Sequence, residues 1–239
     1  GFMKIIAIGN TAEVFEYEEE KICKLFYEGY STTAIQREYN NALCMLENKL
    51  PVPRAYKIVN IQNRTGIIYD RLYGGPILDK IIEGEDIDKL LNKMCNLHKL
   101  ILSCHTKEVL SYKEFFRYFA EKDSKSSNIF RLISDLPEGD NLCHGDFHPN
   151  NIWINLDGSE TIIDFMNVCH GPWQYDVART YFLISEGEIP YDIPNRDKIL
   201  EIQQLLANMY LDKMKTSYEE IEKYIFVIKA CRDNELNLK

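Results

Sequence analysis

Several features that would classify a chain at once are absent from these 239 residues. The seven cysteines (Cys23, Cys44, Cys95, Cys104, Cys143, Cys169 and Cys231) are odd in number and scattered. None forms a CxxC pair, which excludes a zinc ribbon or a redox dithiol as the organising feature. With no secretory leader in view, this cysteine usage reads as a reduced, cytoplasmic protein. No apolar run approaches the roughly 18 residues of a membrane span, so no membrane partner is expected. Positive charge is also scarce: 28 Lys and Arg against 37 Asp and Glu leave a net charge of −9. Phosphate neutralisation needs the opposite balance, which argues against nucleic acid. Neither GxGxxG nor GxxxxGK[ST] occurs, and there is no repeat or low-complexity linker. What remains is ordinary globular composition, 45% apolar and 27% charged, long enough for one large domain or two small lobes.

The first third predicts a small sheet with one helix. Lys4–Ile8, Thr11–Tyr17 and Lys21–Phe26 are short β-prone runs separated by turn or charged residues. In the third, alternation puts Ile22, Lys24 and Phe26 on one face. A helix is expected from about Ser31 to Glu47, with an apolar stripe of Ile35, Tyr39, Ala42, Leu43 and Leu46. Pro51 and Pro53 end it. Ala55–Asn60 and Gly66–Asp70 flank a QNRT turn and read as a hairpin.

Beyond DRLYGG (Asp70–Gly75) the pattern turns helical. Asp86 caps a stripe of Ile87, Leu90, Leu91, Met94, Leu97 and Ile101, in which His98 reads as a core histidine. Ser111 caps a second, of Tyr112, Phe115, Phe116 and Phe119. A short helix and the LPEGD break follow. Ile152–Asn155 and Glu160–Phe165 then flank a Leu156-Asp157-Gly158 turn as a second hairpin. Helices resume from about Asp176, interrupted at Ile189–Pro194. The expected architecture is α+β: a β-rich lobe over 3–73, and a mainly helical lobe over 74–239 with an embedded hairpin.

The densest chemistry lies in LCHGDFHPNN (Leu142–Asn151) and in Asp164 of IIDF. His144, Asp146, His148 and Asn151 fall on a predicted loop, where reactive groups tend to sit. An antiparallel hairpin returns to its origin, so Asn151 and Asp164 are expected to be neighbours. Their hard oxygens suit Mg²⁺. Two chemistries fit these residues. His144, Asp146 and His148 (HxDxH) could hold a transition metal for hydrolysis. Alternatively, Asp146 orients a hydroxyl while Asn151 and Asp164 hold Mg²⁺ on a nucleotide.

The second pattern, H-G-D-x-x-x-x-N with the Asp of IDF thirteen residues after the Asn, resembles the aminoglycoside phosphotransferase and choline kinase superfamily. Those enzymes are similar in fold to protein kinases, with their H-R-D-x-x-x-x-N loop. The resemblance implies a protein-kinase-like bilobal fold and phosphoryl transfer from ATP or GTP, with Mg²⁺, to a hydroxyl of a small molecule. It assigns Asp146 as the catalytic base, and Asn151 and Asp164 to the metal. Gly9 and Thr11 fall in the phosphate-contacting loop. Lys24 and Glu38 match the phosphate-contacting lysine and its ion-pair partner, and Asp70 to Leu72 match the adenine-holding hinge. His144 and Asp176 take supporting roles. Met166 stands after IDF and no A-P-E signature is present, which favours small-molecule kinases over protein kinases. Among family acceptors are aminoglycosides and choline. Trp173, Tyr175 and Glu186, with Glu188 and Asp192, are candidates for binding a cationic amine; packing and a solvated acidic surface are the alternatives. A pseudokinase is the remaining rival class.

Overall fold

Alternation in Lys21–Phe26 decides how the first lobe is layered. In the computed structural model, which describes residues 3–121, 127–188, 192 and 194–237, Ile22 and Phe26 face the main core. Cys23 and Leu25 point the other way, into a small cluster with Ile68 on the outer sheet face. Five antiparallel strands make this sheet, in the order β1-β2-β3-β5-β4: β1 (Ile5–Ile8), β2 (Ala12–Glu16), β3 (Lys21–Phe26), β4 (Ala55–Ile61) and β5 (Arg64–Asp70). The β4–β5 turn is narrower than QNRT. Only Gln62 and Asn63 leave the ladder, both at positive φ, the two-residue connection that matches strand twist.

Helix α1 (Thr32–Glu47) packs on the inner face, capped by Ser31, whose Oγ accepts from the Ala34 N–H at 3.2 Å. Its buried side overlaps the expected apolar stripe only at Ile35 and Ala42. Ile35, Glu38, Asn41, Ala42 and Met45 are buried, while Leu46 is exposed. The helix is rotated so that two polar residues face inward, and each finds a partner. Asn41 Nδ2 donates to the Phe165 carbonyl at 2.8 Å, tying α1 to the far lobe.

The second lobe is helical: α2 (Ile77–Ile82) after the short strand β6 (Gly75–Pro76), then α3 (Ile87–Leu102), α4 (Tyr112–Ala120) and α5 (Ser127–Asp135). Asp86 and Ser111 cap α3 and α4 as expected. Strand β7 (Asn141–Cys143) leads into the HGD loop. Hairpin β8 (Ile152–Ile154) and β9 (Glu160–Ile162) follows, then β10 (Cys169–Gly171) and helices α6 (Trp173–Glu186), α7 (Arg196–Lys213) and α8 (Tyr218–Asn237). Strands β6, β7 and β10 and helix α2 are absent from the sequence reading, being too short to carry a periodicity. The β9 strand stops three residues early, because Asp164 takes a left-handed backbone (φ +66°) that no strand can hold. Of the expected interruption, Ile189, Pro190, Tyr191 and Ile193 lie outside the described residues. Among the described residues no helix is long and apolar enough to cross a membrane.

The Asn41–Phe165 bond is buried, so replacing Asn41 leaves a carbonyl unsatisfied. Asn41→Leu is expected to lower unfolding free energy by about 1–3 kcal/mol, measured by urea denaturation. An unchanged midpoint would show that the bond contributes nothing.

Candidate active site

The site is built on two buried carboxylates. Glu38 has no exposed surface, and both its oxygens are bound: Lys24 Nζ lies 2.8 Å from Oε1, and the Tyr69 hydroxyl donates to Oε2 at 2.9 Å. A buried carboxylate is stable only when its charge and lone pairs are met this way. Burial alone would lower the Lys24 pKa, but Glu38 and then Asp164 reverse the sign and raise it. The ammonium is fixed over the Phe26 ring, 5.3 Å from its centre, and reaches Asp164 Oδ1 at 3.9 Å. Residues 140 positions apart in sequence thus meet across the two lobes.

Asp176 is the second carboxylate, fully buried at the start of α6. It accepts the backbone N–H of His144 through Oδ2 and that of Gly145 through Oδ1, both at 2.9 Å. His98 Nε2 donates to Oδ2 at 2.8 Å, and the Tyr210 hydroxyl lies 2.7 Å from Nδ1. Burial pushes the Asp176 pKa up, yet these hydrogen bonds outweigh it and the net shift is downward. The sequence reading placed His98 in the core, where it is, but missed that it braces Asp176. Gly145 sits at φ +81°, and an added Cβ would lie 2.2 Å from the Asn167 carbonyl, so only glycine fits between His144 and Asp146. Arg179 Nε donates to the Gly145 carbonyl and Thr180 Oγ1 to that of Phe147. Helix α6 therefore anchors the loop at four points.

His144 is buried with both ring nitrogens committed to backbone. Nδ1 accepts from the Asp146 N–H at 3.1 Å, and Nε2 donates to the Ile163 carbonyl at 3.0 Å. It has no lone pair left for a metal, so the HxDxH hydrolase arrangement does not form. Asp146 remains half-buried. Its Oδ2 accepts from Asn151 Nδ2 at 3.2 Å, and His148 Nε2 stands 3.6 Å from Oδ1. Burial lowers the His148 pKa against the pull of Asp146 and Asp164. The bond from the Ile163 N–H to the Asn151 carbonyl (3.1 Å) closes the hairpin and brings the Asn151 and Asp164 segments together. Among the described residues, all the hydrogen bonds of the Asn151 side chain run through Nδ2, leaving Oδ1 uncommitted. That oxygen and the Asp164 carboxylate are hard oxygen donors, a chemistry that fits Mg²⁺.

The remaining candidates are placed less uniformly. Gly9 donates its N–H to the Ala12 carbonyl at 2.9 Å, and the Thr11 carbonyl accepts from the Tyr27 N–H; both lie in the β1–β2 turn. The Asp70 carboxylate accepts from the Tyr56 hydroxyl and the Arg54 N–H, so it ties β5 to β4. Tyr175 is buried against Tyr112, with ring centres 4.7 Å apart. Trp173 is half-buried, its N–H held by Asn141, and Glu186 pairs with Lys229 at 3.1 Å. At about 1.5 Å per residue, Trp173 and Glu186 at opposite ends of α6 stand roughly 20 Å apart. The structure does not gather these three. Asn41, Tyr69, His98 and Arg179 were missed. For Asn41 a signal existed, three residues from Glu38 on the same helix face.

Residues 3–194 match the family model described as the phosphotransferase enzyme family. The chain belongs to that family. Among solved structures, it is similar to the aminoglycoside-3′-phosphotransferase of type VIII (TM-score 0.63, 13% identity, 94% of this chain and 92% of that one). It is also similar to APH(3″)-Id from Streptomyces rimosus in complex with ADP and streptomycin (0.63, 12%, 94% and 91%), and to ADP-bound APH(2″)-Ib (0.60, 15%, 99% and 82%). At these identities the likeness shows the kinase-like fold. No curated protein matches the chain.

Asp176 supplies a pH test. Its folded pKa is depressed, so its contribution is complete above the unfolded value of about 3.9 and is lost as pH falls through the folded one. Asp176→Ala is expected to cost about 3 kcal/mol at neutral pH, with the gap from wild type narrowing only below about pH 4. Urea unfolding across pH measures this; a gap independent of pH would remove the charge from the explanation.

Proposed function

We propose that this phosphotransferase moves the γ-phosphoryl group of ATP or GTP to a hydroxyl of a small molecule in the cleft between Lys24 and Asp146. The observation that carries the reading is the Glu38–Lys24–Asp164 chain at 2.8 and 3.9 Å. It sets a fixed cation beside a carboxylate that, among the described residues, has no closer ion pair. Phosphoryl transfer has a loose transition state, so positioning and charge neutralisation supply most of the acceleration.

In this reading Lys24, oriented by Glu38, binds the nucleotide's phosphate oxygens, and the Asp70–Leu72 backbone holds the base. Asn151 Oδ1 and Asp164 would hold Mg²⁺, which when bound neutralises phosphate charge. Asp146, held by Asn151 and by the Asp176-braced loop, orients the acceptor hydroxyl and takes its proton as the oxygen–phosphorus bond forms. The nucleotide diphosphate leaves with the electrons of the broken bond. The first lobe spans 3–73 and the acceptor lobe 74–239. Retention of Lys24, Asp146, Asn151 and Asp164 together favours an enzyme over a nucleotide-binding pseudokinase.

Asp146→Asn is expected to lower turnover about a thousand-fold while Mg·ATP binding is retained. The measurement is nucleotide consumption, with ATP and GTP as donors, against panels of amino alcohols, aminoglycosides, hydroxy acids and sugars. Unchanged turnover in the variant would remove Asp146 as the base.

A further inference from the structure

The turn between β1 and β2 is held from outside itself. Gly9, Asn10 and Thr11 join the two strands, and Gly9 is not among the residues at positive φ. An added Cβ there would meet only the Ala12 carbonyl, at 3.3 Å, so the path of the turn does not depend on a glycine's freedom. It depends on hydrogen bonds. The Gly9 N–H donates to the Ala12 carbonyl at 2.9 Å and closes the turn. Tyr27, the residue after β3, then grips it twice. Its hydroxyl donates to the Gly9 carbonyl at 2.7 Å, and its N–H donates to the Thr11 carbonyl at 3.0 Å.

Tyr27 is itself fixed. Arg64, at the start of β5, lays its guanidinium over the Tyr27 ring, 5.5 Å from the centre. The same guanidinium donates to the carbonyls of Phe26 (2.8 Å) and Leu25 (3.0 Å) and pairs with Glu13 of β2 at 2.8 Å. The ring that reaches the turn is therefore tied to β2, β3 and β5 together.

This end of the sheet is also where the Lys24 ammonium points. Lys24 lies over the ring of Phe26, so it leans along β3 toward the end that pairs with Ala12 and adjoins the turn. An anion beside Lys24 would meet a turn whose Gly9 and Thr11 carbonyl oxygens are already committed to Tyr27. Carbonyls released from those bonds would present negative dipole ends to it. The N–H groups of Asn10 and Thr11 make no hydrogen bond among the described residues, and successive backbone N–H groups in a turn suit an anion.

We propose that Tyr27 is a positioning residue for phosphoryl transfer: its hydroxyl fixes the β1–β2 turn so that the turn offers the nucleotide's phosphates N–H groups rather than carbonyl oxygens. This rests on the phosphotransfer reading, which puts the phosphates at Lys24. Tyr27 touches no reacting atom and acts through the turn. Its effect falls on the phosphates and not on the base.

The test compares wild type with Tyr27→Phe, which keeps the ring and the backbone N–H and removes only the hydroxyl. Mg·ATP or Mg·GTP, whichever binds, and the matching nucleoside are each titrated calorimetrically into the full chain. Loss of one hydrogen bond should weaken the nucleotide about three- to ten-fold and leave the nucleoside unchanged. Deuterium exchange at the Gly9 amide should quicken in the variant, because the turn opens more often. Replacing Tyr27 with 4-aminophenylalanine restores a donor at the same place and should recover most of the affinity. Equal nucleotide affinity in wild type and Tyr27→Phe would overturn the proposal. So would an equal loss for nucleotide and nucleoside, the mark of a merely structural residue, or an unchanged Gly9 amide. A wild type that binds neither nucleotide removes the phosphotransfer reading and the role of Tyr27 with it, whereas binding that is indifferent to Tyr27→Phe removes that role alone.

Discussion

Everything in the cleft depends on a carboxylate placed where carboxylates are costly. Glu38 is wholly buried, and its charge is tolerable only because Lys24 and Tyr69 occupy both oxygens. The same pair that stabilises the inner face of the small lobe holds an ammonium at its mouth. Fixing a lysine by burying its partner removes the rotamer freedom a surface lysine keeps. The charge is then in place before any phosphate arrives, which is what preorganised electrostatics requires.

Asp176 repeats the device in the larger lobe with a different product. Among the described residues it has no ion pair to a lysine or arginine; its charge is met by two backbone N–H groups and an imidazole. What it fixes is a path of main chain. With Gly145 forced to positive φ and His144 locked at both nitrogens, the loop has one available course, and Asp146 emerges from it half-exposed. Helices supply the two buried carboxylates and the loop carries Asp146, the base we propose. That division keeps Asp146 off the packed elements while denying it freedom to wander.

Much of this was legible in the residues. Strands β1 to β5, the caps at Ser31, Asp86 and Ser111, and the hairpin that returns Asn151 toward Asp164 all follow from period, turn chemistry and capping. The α1 face was not legible by hydrophobicity. Of the expected stripe, Ile35 and Ala42 are buried while Tyr39, Leu43 and Leu46 sit off the side that packs, because partners distant in sequence make Glu38 and Asn41 cheaper to bury than a hydrophobicity pattern allows. His98 shows the same limit. Its apolar surroundings in α3 predict burial correctly, yet its hydrogen bond joins residues 78 apart. A short strand such as β7 or β10, three residues long, exists only through its neighbour and leaves no local trace. The acceptor candidates drawn from nearby sequence, Trp173, Tyr175 and Glu186, share a helix without sharing a side of the cleft.

The bond between Asn41 and the Phe165 carbonyl has a mechanical reading. It is one of several links between the lobes: the Ile162 N–H donates to the Pro51 carbonyl at 2.8 Å, and the Tyr69 and Phe165 rings lie 6.3 Å apart. Phe165 follows Asp164 directly, so the segment that carries Asp164 is held against the small lobe by backbone and ring contacts as well as by the charge of Lys24. The spacing of Lys24 and Asp164 therefore rests on uncharged contacts as much as on charge, and salt does not screen those.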